Sequence, residues 1–182
     1  MAVSPTYTYT FKVEPQMFRH ALYFNTFGKQ RIQSVIIAAM AVMGVGMLLA
    51  NLIFHVEMTS EMQWCYIVII AAVPLLLFSC EHSYRDYKKS PLADAVRSVS
   101  INEDWLKFKV AGGADSEKIE WRQVSAVFEL ADFFIIYRDA NLMVLLPKSA
   151  VAAEELPKIR AVMRHNLGRG FHLRRIGQVA AA

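Results

Sequence analysis

The side chains best suited to chemistry in this chain are its arginines, and they gather at one end. Arg160, Arg164, Arg169, Arg174 and Arg175 follow one another near the C-terminus with little acid between them. A guanidinium carries a permanent charge and a planar fork of N–H donors, so such a cluster suits phosphate or carboxylate groups. A cationic segment close to a membrane gains about 1 kcal/mol per charge from anionic lipid. Nucleic acid is the other familiar use, but no recognition motif or stacking aromatic platform lies beside the cluster, and no nucleic-acid partner is expected. The plain alternative is a solvated helix face with a loose tail. The formal net charge of +4 owes much to this end.

Little else promises catalysis. His20, His55, His82, His165 and His172 are scattered, and Cys80-Glu-His82 has no second ligand pair at a metal-binding spacing. Gly112-Gly113 stands between strand-like runs without a phosphate-loop pattern around it, which is the setting of a hairpin. No Ser/His/Asp constellation or paired acidic motif is present. The expectation is a protein that is not an enzyme, with no catalytic, cofactor-binding or metal-ligating residues and no cofactor.

The elements that position the arginines begin with two charge-free apolar stretches, residues 35–54 and 64–80. Each approaches the ~20 helical residues that cross a bilayer core, and the spans are read as 35–54 and 62–80. Mean hydropathy is +0.28 and 20% of residues are charged, so the membrane part must be a minority of the chain. The first stretch begins too far along for an ordinary cleaved leader, and none is expected. Cys65 and Cys80 lie about one span apart, too far for a disulfide between them.

The connector at 55–61 holds Glu57 and Glu61 but no Lys or Arg, whereas Lys29 and Arg31 precede the first span and Arg85, Lys88 and Lys89 follow the second. That bias puts the basic flanks, and both termini, in the cytoplasm. Gly46 and Ala50 form a small-xxx-small pair on which another helix can pack closely, either the second span or a second copy. No Asp, Glu, Lys or Arg interrupts either stretch, which argues against an ion or proton path.

Before the membrane, residues 6–13 alternate threonine with Tyr7, Tyr9, Phe11 and Val13, the period of a strand. A lone strand is unstable in water, so it must pair with strands beyond the second span. Pro15 then opens a helix whose mixture of aromatic and basic residues over 16–32 suits the membrane surface; packing on the soluble domain alone is the alternative. Gly28 marks a bend before the first span.

Past a linker at 81–94, short strand-like runs cover 95–101, 105–110, 118–121, 126–130, 133–138 and 142–146. A helix follows to about Asn166, with Pro157 moving its start toward Glu155. The segment 168–182 reads as a basic, disordered tail. The expected fold is membrane α+β: a two-helix transmembrane hairpin plus a small pleckstrin-homology-like antiparallel barrel of about seven strands capped by a C-terminal helix. The domains are then 1–34, a strand and amphipathic helix; 35–80, the hairpin; 81–94; 95–167; and the tail.

Ile119-Glu-Trp-Arg-Gln-Val124, Asp132-Phe-Phe-Ile-Ile-Tyr137 and Leu146-Pro-Lys148, set behind a two-span hairpin, resemble the YcxB-like family of small bacterial membrane proteins. The resemblance implies a pleckstrin-homology-like C-terminal domain in a bacterial inner membrane and brings no activity or catalytic residue with it. The function expected is a membrane-tethered module that binds a protein partner or anionic lipid at the cytoplasmic face, or itself. The alternative is a subunit of a transport or envelope-stress complex that interacts through its transmembrane helices.

Overall fold

The computed structural model describes residues 5–29, 31–55, 58–110, 116–138 and 142–174. Its contacts divide the chain into two units, one of residues 1–18 with 90–182 and one of 19–89, so the second interrupts the first.

The alternating segment near the N-terminus forms β1 (Tyr7–Lys12), and it pairs antiparallel with β2 (Val96–Ile101), from Tyr7 opposite Ile101 to Lys12 opposite Val96. The strands β3 (Trp105–Val110) and β4 (Glu117–Glu120) complete a four-stranded sheet in sequence order. Because residues directly opposite share a face, Tyr7, Ile101, Leu106 and Ile119 make one inward row, and Tyr9, Val99 and Phe108 begin the next. Ile101 and Leu106 are fully enclosed.

The second sheet is built from β5 (Ala126–Glu129), β6 (Phe133–Tyr137), β7 (Met143–Pro147) and β8 (Phe171–Leu173), in the order β7-β6-β5-β8. Every residue of β6 is buried, as its unbroken apolar run requires of a strand with both faces covered. The helix α4 (Leu156–Leu167) buries Ile159 and Met163 and meets β5 and β8.

Two expectations need correction. Among the described residues the strands pair as two four-stranded sheets that do not close into a barrel. The segment expected to be a disordered tail contributes β8, which pairs parallel with β5, so the strands among the described residues number eight and are not all antiparallel. Three residues are too few to show a strand's period. Phe171 and His172 are held by neighbours distant in sequence, His172 stacking on Phe128 with ring centres 4.8 Å apart.

In the other unit, α2 (Arg31–Phe54) and α3 (Ser60–Lys89) are both long and apolar enough to cross a membrane. They pack together with Gly44 beside Tyr66 and Ile70, and the buried or half-buried positions Ala41, Gly44 and Leu48 on one helix and Tyr66, Ile70 and Val73 on the other are spaced by threes and fours as in paired helices. Their outer faces expose Val42, Leu52, Val68 and Phe78, a surface matched to lipid. α3 continues through Pro74.

The helix α1 (Pro15–Tyr23) leads into a π-helical turn, Phe24–Gly28, closed by Lys29 N–H donating to the Phe24 carbonyl at 2.8 Å. A Cβ on Gly28 would lie 2.5 Å from the Phe24 ring, which is itself buried, so a side chain at 28 would force that ring to move. Arg19 and Tyr23 reach α3, where the Glu81 carboxylate accepts from Arg19 Nε at 2.8 Å and from the Tyr23 hydroxyl at 2.7 Å. The Thr26 hydroxyl and Cys80 thiol lie 3.2 Å apart nearby.

Candidate functional site

A lone carboxylate in an apolar strand organises the cationic end of the β-rich unit. Glu129 closes β5 and is only 1% exposed. Arg160, one turn into α4, grips it bidentately, Nε to Oε2 at 2.8 Å and Nη2 to Oε1 at 2.5 Å. Lys148, in the 3-10 turn Lys148–Ala150 after β7, lies 2.9 Å from Oε1 and also donates to the Leu130 carbonyl at 2.6 Å. Burial pushes the Glu129 carboxyl up, but the hydrogen bonds from Arg160 and Lys148 outweigh it and hold the group below the usual carboxylate range. Glu129 in turn raises the Arg160 guanidinium above its ordinary value. The trio joins β5, β7 and α4 while leaving one positive charge in excess.

The expected arginine site is thereby divided. Arg160 is bound to Glu129, and its part in any docking is to orient α4. Arg164 is exposed, with its guanidinium carbon 5.5 Å from the centre of the Phe171 ring on β8. Stacking of this kind leaves the in-plane N–H groups free for an anion. Pro157, Arg160, Ala161, Arg164 and His165 line a shallow depression of about 380 Å³. Arg169, in the 3-10 turn Gly168–Gly170, is exposed. Arg174 donates its backbone N–H to the Glu129 carbonyl at 2.8 Å, and its enclosed Nε meets no acceptor among the described residues. Arg175 lies outside the described residues, as does the Gly112-Gly113 hairpin.

The expected helix-packing pair is also split from the observed one. A Cβ on Gly44 would meet Ile70 and Tyr66 side chains at 3.4 Å, so the close approach of α2 to α3 runs through Gly44. At Gly46 an added Cβ would meet nothing within 4 Å; Ala50 is half-buried. The signal for Gly44 was its place in the 41, 44, 48 spacing. The signal for Glu129 was an acid in a run that is otherwise apolar.

The three sequence motifs have structural roles. Trp121, in the 3-10 turn Trp121–Gln123, is buried and donates its indole N–H to the Asn102 carbonyl at 2.9 Å. Asn102, itself buried, donates to Thr6 Oγ1 at 3.0 Å and accepts from the Asp104 N–H at 3.2 Å. Tyr137 packs edge-on against Phe128, and burial pushes its hydroxyl up to about 12. Lys148 is the Glu129 partner already described.

No curated protein and no solved structure matches the chain. Residues 101–163 match the family model described as YcxB-like protein, a stretch that runs from the end of β2 into α4 and takes in Trp121, Glu129, Lys148 and Arg160. Over those residues the chain is similar to the YcxB-like family, and the three motifs lie within them.

Proposed function

We propose that this chain is a non-enzymatic membrane-tethered module. Its β-rich unit, of pleckstrin-homology-like kind, binds a protein partner or anionic lipid at the cytoplasmic face of a bacterial inner membrane. The observation that carries this reading is the β1–β2 pairing, which makes the two apolar helices an insertion between neighbouring strands of one sheet. A sheet of four strands, a three-strand meander and then a helix is the order expected of a pleckstrin-homology-like domain, here left open and extended by β8. Arg164 and Arg169 are the exposed cations that would make the contact, with Arg160 holding α4 in place.

The test is lipid retention by the full chain extracted in mild detergent. Arg164→Gln with Arg169→Gln should reduce co-purifying anionic phospholipid several-fold relative to the wild type. Unchanged retention of lipid and of any partner removes the cluster from the mechanism.

A second reading, a subunit held in a transport or envelope-stress complex by its transmembrane helices, is favoured by the open space at Gly46. Crosslinking from Gly46→Cys or Ala50→Cys to a foreign helix would select it.

A further inference from the structure

The register of the first sheet gathers a second set of cations on its outer side. Thr8, Ser100, Lys107 and Lys118 stand in one outward row, and Thr10, Ser98 and Lys109 in the next. Lys12 ends the face at one side and Trp105 at the other. Lys12, Lys107, Lys109 and Lys118 are all exposed, and the acid on this face among the described residues, Glu120, is paired with Arg122 at 2.6 Å. Four lysines therefore share one face of the sheet with hydroxyls between them.

Neighbouring positions in such an array are roughly 5–7 Å apart, along a strand or across a pair. That is the geometry of many shallow contacts to a plane of anions; an enclosed ligand would need convergent groups around a cavity. We infer that the outer face of β1–β4 lies on the anionic phospholipid headgroups of the membrane that the chain spans. The inference rests on the membrane-tethered reading above and adds to it a second contact surface, independent of the C-terminal arginines.

Lipid is favoured over a soluble polyanion on two grounds. The chain leaves β1 for the unit of residues 19–89 after six residues and returns to β2 six residues after α3, so a headgroup surface is held at high local concentration near this sheet. Among the described residues the one aromatic on the face, Trp105, has Lys118 Nζ 4.9 Å from its ring centre, which takes up the surface on which a nucleic-acid base would stack. A lysine stem can also cover apolar surface while its ammonium group stays at the level of the headgroups.

The test uses the wild-type full chain in nanodiscs of phosphatidylcholine, with or without phosphatidylglycerol. Amine acylation rates are read residue by residue by mass spectrometry, with Lys158 on α4, also exposed, as the internal reference. Lys107, Lys109 and Lys118 should react several-fold more slowly in the anionic discs, and roughly 0.5 M salt should erase the difference by screening. Equal rates in both discs overturn the inference. So does protection that appears only when an oligonucleotide or polyglutamate is added, because the occupant is then a soluble polyanion. Lipid retention that still depends on Arg164 and Arg169 while the lysine rates stay equal would sink the sheet contact alone. Retention indifferent to those arginines, with the lysines protected, would sink the arginine site alone.

Discussion

The Tyr9 hydroxyl donates a 2.6 Å hydrogen bond to Glu155 Oε2, joining the strand before the membrane unit to the residue that caps α4, 146 positions later in the chain. Burial and then the Glu155 carboxylate push the Tyr9 hydroxyl well above the ordinary tyrosine range, so it stays a donor at any physiological pH. Tyr9→Phe keeps the ring in the core and removes only the donor. A loss of about 1–2 kcal/mol in chemical denaturation is expected, with α4 amides exchanging faster. No change would mean that β1 and α4 are held together by packing alone.

Glu129→Ala should be far more costly, by about 3–5 kcal/mol, since it strands Arg160 and Lys148 around an unpaired buried site. The wild type has a matching pH signature. A carboxyl whose folded pKa is depressed stabilises fully above its unfolded value near 4.3 and loses that contribution as pH falls toward the lower folded value. Melting temperature measured down through pH 4 should therefore drop, and Glu129→Gln should flatten this part of the curve.

Two glycines in the same helix should behave oppositely. Gly44→Leu forces α2 away from Ile70 and Tyr66 and should cost about 1–3 kcal/mol of hairpin stability. Gly46→Leu, projecting into open space, should stay within about 0.5 kcal/mol. Unfolding in mixed micelles distinguishes them, and equal losses would show that the seam is misplaced.

Gly28→Ala should destabilise the π-helical turn by about 1–3 kcal/mol, because the added methyl overlaps the buried Phe24 ring. Hydrogen exchange at residues 24–29 should accelerate locally. An unaltered pattern would mean that Phe24 can turn aside.

The sequence made long-period features legible and short or collective ones obscure. Apolar runs of membrane length, the alternation of Tyr7, Tyr9 and Phe11, and the unbroken run of β6 each repeat a local rule often enough to be read. β8 is three residues long and depends on Phe128 and Val127 for its place, so no local pattern could announce it. The arginine cluster was visible as composition, but only Glu129 shows why Arg160 differs from Arg164. The lysine face was hidden for another reason: its members come from β1, β3 and β4, and register alone puts them side by side.

Threading the membrane unit between β1 and β2 also sets an order of events at the ribosome. β1 is made first, yet its partner exists only after some 90 further residues have been translated, roughly 5–20 s later. During that interval an unpaired, aromatic-rich strand waits while two apolar helices of membrane-spanning length are made. Until β2 arrives, the first sheet cannot close and the strand edge stays open to proteases and chaperones. The same chain topology thus makes completion of the β-rich unit wait on synthesis of the whole inserted segment.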